Sequence, residues 1–230
     1  MQNLYNKLKK FSLKDAVFFE EKDRQFLALQ KLYRNKKISD SVYLFLIITN
    51  SLVCYQLSWK WEDYWEEFWG ALENKDFNSF EEIYNFFKDF LSNSKNNKRF
   101  VNIKLKRIKK LETFYKNFIW KEKYFYENML ELRNVLAKTM NQKKEAKTVV
   151  FAIKMFSYWA RNIFQFREFP KEIFIPIDSR LENLYKKYSN LENINKDEIK
   201  RFYLDLSEKL NIPLLHLDAI LWVNNENLIK

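Results

Sequence analysis

Along most of the chain, apolar residues recur at intervals of three and four positions, with polar residues between them. This spacing places the apolar side chains on one face of a helix. Capping pairs such as Ser12 with Asp15, Ser79 with Glu82 and Asn195 with Glu198 stand before several of these runs. The pattern predicts helices at residues 13–20, 23–34, 40–57, 61–73, 80–92, 98–116, 122–139, 145–163, 179–188, 196–210 and 213–223. The segment 169–177, FPKEIFIPI, has two prolines and predicts an extended connector.

The scarcity of glycine strengthens the helical prediction. Average usage would give about 16 glycines in a chain of this length, but Gly70 stands alone among the 230 residues. Phosphate-binding loops, dinucleotide fingerprints and nucleophile elbows built on glycine are therefore excluded. One histidine and one cysteine exclude Cys/His zinc clusters and disulfide frameworks. We expect an all-α fold of two interleaved helical lobes.

The longest uncharged stretch runs from Ser41 to Trp59. Thr49, Asn50 and Ser51 interrupt it, whereas a membrane span needs about 20 mostly apolar residues. The stretch therefore predicts a buried core helix, with Cys54 as a small apolar filler. We expect no membrane association and a cytoplasmic location.

The net charge of +11 is unevenly distributed. Residues 62–82 hold eight acidic side chains and one basic, whereas residues 95–110 hold eight basic side chains and no acidic ones. Most of the second run is expected to face outward, namely Lys98, Arg99, Lys104, Lys106, Arg107, Lys109 and Lys110. A further basic cluster comprises Lys138, Lys143, Lys144 and Lys147. These clusters fit either solvated helix faces or a surface that follows nucleic-acid phosphates.

Lys147 is a candidate nucleophile because of where it stands in its helix. It falls in the first turn, ahead of the apolar stripe Val150, Ile153 and Phe156. The helix dipole disfavours an ammonium there by about 0.3–1 kcal/mol, and burial can lower a lysine pKa by about 3–5 units. An amine attacks only when it is unprotonated, so burial would have to do most of the activation. A solvated side chain or a phosphate contact is the alternative.

Two further segments carry candidate polar groups. Asp178 follows an extended Ile-Pro-Ile and precedes a helix, which predicts an N-cap that also leaves a carboxylate available for chemistry. Asp218 and Trp222 are four residues apart and share a helix face, as do Lys147 and Phe151. An aromatic plane beside a polar group suits a flipped base, although such stripes also occur in cores. His216 is expected to be a hydrogen-bonded structural histidine.

The segments EAKTVVFAIKMF, IPIDSRL and IPLLHLDAILW occur in this order, with Asp178 placed 31 residues after Lys147. They resemble the archaeal GO glycosylases, the archaeal 8-oxoguanine DNA glycosylase/lyase family within the helix-hairpin-helix glycosylases. The similarity runs from about Asp23 to Trp222. It implies that residues 1–230 form one helical glycosylase unit of two lobes, with the base pocket and active site in the cleft between them.

The resemblance also implies roles for individual residues. Lys147 would be the Schiff-base nucleophile and Asp178 the catalytic carboxylate. The lesion would be bound by a second set of side chains, namely Gln25, Trp65, Phe151, Asp218 and Trp222. The implied partner is DNA containing 8-oxoguanine, acted on by a monomer without metal or organic cofactor.

One departure and two alternatives stand beside this interpretation. The hairpin before Lys147, TMNQKKEAK, has no glycine, whereas most of the superfamily uses Gly-x-Gly there, although the archaeal family is itself known for an unusual hairpin. A non-catalytic helical nucleic-acid-binding protein would use Lys147 as a phosphate contact and Asp178 as a cap. A different oxidised purine as the lesion would keep the enzyme class.

Overall fold

The computed structural model describes residues 1–35, 37–189 and 195–229. Its helices are α1 (Gln2–Leu8), α2 (Leu13–Lys22), α3 (Arg24–Asn35), α4 (Asp40–Val53), α5 (Trp61–Leu72), α6 (Phe80–Asn93), α7 (Val101–Lys109), α8 (Glu112–Phe118), α9 (Glu122–Glu127), α10 (Met129–Met140), α11 (Lys147–Ile163), α12 (Ser179–Ser189), α13 (Lys196–Leu210), α14 (Leu214–Val223) and α15 (Asn225–Ile229). The described ranges contain no strand. The chain divides into two compact units, unit 1 of residues 1–22 and 168–230 and unit 2 of residues 23–167. The predicted all-α, interleaved fold class is confirmed.

Unit 2 is built around α4. Every residue from Ser41 to Val53 is buried, and α11 packs along this helix. Ser39 caps the helix by accepting a hydrogen bond from the amide of Val42 at 3.3 Å. The predicted core helix is confirmed, although it ends at Val53, and Cys54 is buried directly after it.

Unit 1 joins the two ends of the chain, with α14 packed against α2. His216 lies in its core at 1% exposure, and its Nδ1 is 2.8 Å from Oε1 of the buried Glu20. The His216 Nε2 accepts the backbone N–H of Phe169 at 3.3 Å. Both ring nitrogens are therefore partnered, and the predicted structural role of His216 is confirmed.

The structure divides two predicted helices and adds two short ones. The predicted helix at 98–116 is α7 and α8, because the amide of Leu111 bonds to Ile108 and tightens the last turn of α7. The predicted helix at 122–139 is α9 and α10, since Asn128 between them leaves helical geometry at φ −124° and ψ 56°. The terminal helices α1 and α15 were not predicted from the apolar spacing.

The connector from α11 to α12 is non-helical apart from a short turn, as its two prolines predict.

The predicted caps are also present. Ser12 and Asp15 bond to each other, Ser79 Oγ accepts the amide of Glu82, and Asn195 accepts the amide of Asp197. Among the helices of the described ranges, none combines the length and the apolar character needed to cross a membrane.

Candidate active site

Lys147 lies in the first turn of α11, as the sequence predicts, although the helix begins at Lys147 itself and not at residue 145. Ala146 precedes it as the N-cap and supplies no side-chain hydrogen bond. The side chain of Lys147 is exposed. The burial that would activate a lysine is thus not supplied by the free chain.

The turn before Lys147 forms without glycine. Asn141 ends α10 in the left-handed region at φ 52° and ψ 52°, a conformation in which asparagine costs less than most residues. The backbone N–H of Gln142 donates to the backbone carbonyl of Ala137 at 2.9 Å, which closes the turn. Arg107 of α7 then donates through Nη2 to Gln142 Oε1 at 3.1 Å and to Thr148 Oγ1 at 3.0 Å. Side chains therefore hold the hairpin that presents Lys147.

Phe151 lies one turn after Lys147 and meets two tryptophans of α5. The Trp61 ring packs edge-on against it with centroids 4.9 Å apart, and the Trp65 ring is tilted at 6.3 Å. Trp65 is fully buried, and its Nε1 has no hydrogen-bond partner within the described ranges. Trp69 also has an unpartnered indole nitrogen, so what distinguishes Trp65 is its contact with Phe151.

Asp178 caps α12, as predicted. Its Oδ1 accepts the amide of Leu181 at 3.0 Å, while its Oδ2 lies 3.4 Å from Nη2 of Arg180. The carboxylate keeps 38% of its surface exposed. Asp178 is therefore fixed in direction and open to solvent, which is the combination that a catalytic carboxylate needs.

Arg180 brings the unit 1 candidates together, and sequence reasoning missed it. The same Nη2 that approaches Asp178 donates to Asp218 Oδ1 at 2.6 Å, and the guanidinium carbon lies 4.9 Å from the ring centroid of Trp222. Burial lowers the pKa of Arg180, but the two carboxylates outweigh it, so the net pKa is raised. Arg180 is 12% exposed and Trp222 is 58% exposed.

The candidate residues thus fall into two sets. Asp178, Asp218 and Trp222 belong to unit 1, whereas the set in unit 2 comprises Lys147, Phe151, Trp65 and Gln25. Gln25 lies in α3, and its side chain is outside the part of the chain that the structure describes. The adjacent Ser-Arg after Asp178 was the sequence signal that could have identified Arg180.

The basic surface is smaller than predicted, because Lys104 points inward. Its side chain is fully buried, with Nζ bonded to the side chain of Asn97 and lying 4.9 Å from the ring centroid of Tyr55. The outward prediction for Lys104 is therefore wrong. Arg107 is half-buried over the same ring at 5.3 Å. Of the cations predicted to lie at this surface, the exposed ones are Lys98, Arg99, Lys106, Lys109 and Lys110 on or beside α7, and Lys138, Lys143, Lys144 and Lys147 at the hairpin.

Comparison with known proteins decides the family. The model of the AGOG family, described as N-glycosylase/DNA lyase, matches residues 5–230. The N-glycosylase/DNA lyase of Thermococcus kodakarensis is 41% identical over 220 residues, which cover 94% of this chain and 80% of that protein. The chain belongs to the AGOG family. The Methanococcus maripaludis N-glycosylase/DNA lyase is 39% identical over 215 residues, covering 92% of this chain and 82% of the relative.

A solved AGOG structure shares the fold. The Pyrobaculum aerophilum 8-oxoguanine DNA glycosylase, crystallised with 8-oxoguanosine, gives a TM-score of 0.79 at 22% identity over 98% of this chain and 87% of that one. The fold agrees with the predicted all-α class, and the family match and the two relatives confirm the predicted family and enzyme class. Among the described residues of this AGOG chain, no group of three His, Cys, Asp or Glu side chains is placed to hold a metal ion.

Proposed function

We propose that this AGOG protein excises 8-oxoguanine from DNA and then nicks the strand through a lysine Schiff base. The observation that carries the proposal is the accessible amine of Lys147 at the start of α11, one turn from the aromatic ring of Phe151. A lyase of this type needs an amine that can reach the sugar carbon C1′. The solved relative named as an 8-oxoguanine DNA glycosylase supports the lesion class.

The chemistry begins with unprotonated Lys147. Its Nζ forms a bond to C1′ while the glycosidic bond breaks and its electron pair leaves with the base, which takes up a proton. The amine then loses its proton and the ring C1′–O4′ bond opens, with O4′ taking up a proton, to give the Schiff base. Removal of a C2′ proton expels the 3′ phosphate and nicks the strand, and water hydrolyses the imine to release Lys147.

Asp178 serves the first of these steps. Its carboxylate, held by the amide of Leu181, stabilises the positive charge on the sugar or accepts the proton of the attacking amine. Because Lys147 is exposed in the free chain, burial of its side chain would come from the bound DNA. Lys147 and Asp178 would then act on the same nucleotide.

Recognition of the lesion is assigned to side chains of both units. Phe151 and Trp222 would stack on the faces of the flipped base, and Asp218 would bind its edge. The exposed ring of Trp222 and the oriented carboxylate of Asp218 support these roles. Trp65, with an unpartnered buried N–H, and Gln25 would complete the pocket.

The exposed cations of α7 and of the hairpin would follow the phosphates of the duplex. We propose that the protein works as a DNA-associated monomer in the cytoplasm. The alternative, a non-catalytic binder of nucleic acid, uses the same surface but needs no nucleophile.

Borohydride trapping distinguishes a lysine-dependent lyase from a non-catalytic binder of nucleic acid. A labelled duplex with one 8-oxoguanine is incubated with wild type, Lys147→Gln or the control Lys186→Gln, which replaces an exposed lysine of α12. We expect a covalent complex with wild type and with the control, and none with Lys147→Gln or with an undamaged duplex. A trapped complex with Lys147→Gln, or equal trapping on undamaged DNA, would contradict the proposal.

Two further measurements complete the test. Asp178→Asn should slow base excision, and combining it with Lys147→Gln should cause no additional loss if both act on one step. Duplexes that carry another oxidised purine, with 8-oxoguanine as competitor, measure the lesion preference. A faster reaction on the other purine would correct the substrate and keep the enzyme class.

A further inference from the structure

The turn between α10 and α11 must hold Lys147 in one place although it has no glycine. Residues 141–146 form this turn, and its backbone hydrogen bonds run from Asn141 to Lys138, from Gln142 to Ala137 and from Ala146 to Lys143. None of these bonds reaches beyond the hairpin itself. The hydrogen bonds that tie the turn to other elements of unit 2 therefore come from side chains.

Arg107 supplies that fixation from a distant part of the sequence. Its Nη2 donates to Gln142 Oε1 on one side of Lys147 and to Thr148 Oγ1 on the other. Thr148 Oγ1 in turn donates to Gln142 Oε1 at 3.1 Å, which closes a triangle of hydrogen bonds. Thr148 is adjacent to Lys147, so this triangle spans the point where the amine leaves the backbone.

The surroundings of Arg107 are costly for a cation. Burial lowers its pKa, with Tyr55 partly opposing the effect. Among the residues that the structure describes, no carboxylate forms an ion pair with Arg107, and its buried Nε has no hydrogen-bond partner. The guanidinium instead packs on the ring of Tyr55 and bonds to two neutral side chains. A half-buried cation without a carboxylate contributes little to the stability of the fold, which points to a functional role for Arg107.

We propose that Arg107 is a positioning residue for Lys147, holding the hairpin so that the amine is presented to the sugar. The proposal deepens the function given above and rests on Lys147 being the nucleophile. It also connects the basic helix α7, which would contact the duplex, to the reacting group. A displacement of about 1 Å at a reacting group can slow a reaction about 100-fold, so the hairpin need move only slightly to matter.

The test is a comparison of rate and affinity in the full-length protein. Single-turnover excision from an 8-oxoguanine duplex is measured over a range of enzyme concentrations for Arg107→Lys and Thr148→Val. Lysine keeps the charge over Tyr55 but lacks the guanidinium fork, and valine keeps the shape of threonine without its hydroxyl. The matched control is Arg167→Lys, an exposed arginine whose Nη2 lies 3.2 Å from Glu127.

We expect Arg107→Lys to slow the saturating rate by about 10- to 100-fold while the half-saturating concentration changes by less than about threefold. Thr148→Val should slow it by about three- to tenfold, and the double variant should be no slower than Arg107→Lys because both break one triangle. The control should match wild type. Circular dichroism checks folding, and if Arg107→Lys does not fold, Thr148→Val carries the test.

Two results would overturn the inference. If Arg107→Lys raises the half-saturating concentration and leaves the saturating rate unchanged, Arg107 contacts a phosphate and does not position Lys147. A smaller salt dependence of binding in this variant would lead to the same conclusion. A wild-type rate in Thr148→Val would show that the triangle does not position the amine. Failure of the function itself is distinguishable, because Lys147→Gln would then still trap DNA.

Discussion

The buried amine of Lys104 makes a quantitative prediction about stability. Its side chain is fully buried in unit 2, and burial is the main cause that lowers its pKa from 10.5 to about 8. Replacing Lys104 with methionine keeps a similar volume and removes the charge. The perturbation therefore isolates the free energy of holding this amine inside the protein.

The magnitude follows from the two pKa values. The pKa of Lys104 differs by about 2.5 units between the unfolded and folded states, which corresponds to about 3 kcal/mol. The free energy of unfolding is lowered by this amount wherever the amine is protonated in both states. The pKa of Lys104 is lower in the folded state than in the unfolded state. The buried charge therefore destabilises the fold by the full amount below about pH 8, and this destabilisation disappears as the pH rises towards 10.5. At pH 10 about 1 kcal/mol of the loss remains.

Lys104→Met should therefore gain stability at neutral pH and lose that advantage in alkali. The substitution leaves the side-chain oxygen of Asn97 without its donor, which costs about 1–2 kcal/mol at every pH. We expect the variant to be about 1–2 kcal/mol more stable than wild type at pH 7. At pH 10 the advantage should be about 2 kcal/mol smaller.

Urea unfolding followed by tryptophan fluorescence at pH 7 and pH 10 measures this difference. The control is Lys106→Met, the same substitution at an exposed neighbour in α7. Comparing each variant with wild type cancels the titration of every other group. A Lys104→Met difference that does not change with pH would refute the reasoning, because the amine would then carry the same charge in both states.

Three other predictions concern single contacts. Ser79→Ala removes the N-cap of α6 and should lower the free energy of unfolding by about 1 kcal/mol in urea, whereas equal stability would mean that the cap contributes nothing. Glu20→Ala removes the buried carboxylate that is bonded to Nδ1 of His216 and should cost about 3 kcal/mol in thermal unfolding, with a loss below 1 kcal/mol contradicting it. Arg180→Met removes the cation that lies between Asp178 and Asp218 and should cost about 3 kcal/mol, with weaker binding of an 8-oxoguanine duplex measured by fluorescence anisotropy.

Local patterns were enough to predict much of the fold and the order of the site residues. The apolar spacing predicted α4, α11 and α14, because helical periodicity is set by neighbours three and four positions apart. The N-caps at Ser79 and Asp178 were predictable for the same reason, since a cap bonds to amides two or three residues away. The place of Lys147 at the first position of α11 is likewise a local property.

Contacts between distant residues could not be predicted in this way. The basic run around Lys104 looks uniformly solvated in sequence, but in the folded chain Asn97 and the Tyr55 ring make an interior site for that one amine. Arg107 reaches the hairpin 35 residues away, and Arg180 meets Asp218 at a separation of 38.

The sequence by itself determined most of the helices, the N-caps of α6 and α12, and the family to which the chain belongs. Only the tertiary structure decided which cations are buried, what holds the hairpin and which groups meet at Arg180. The physical reason is range: a helix is stabilised by bonds and contacts within a few residues, whereas the environment of a charge depends on every element packed around it.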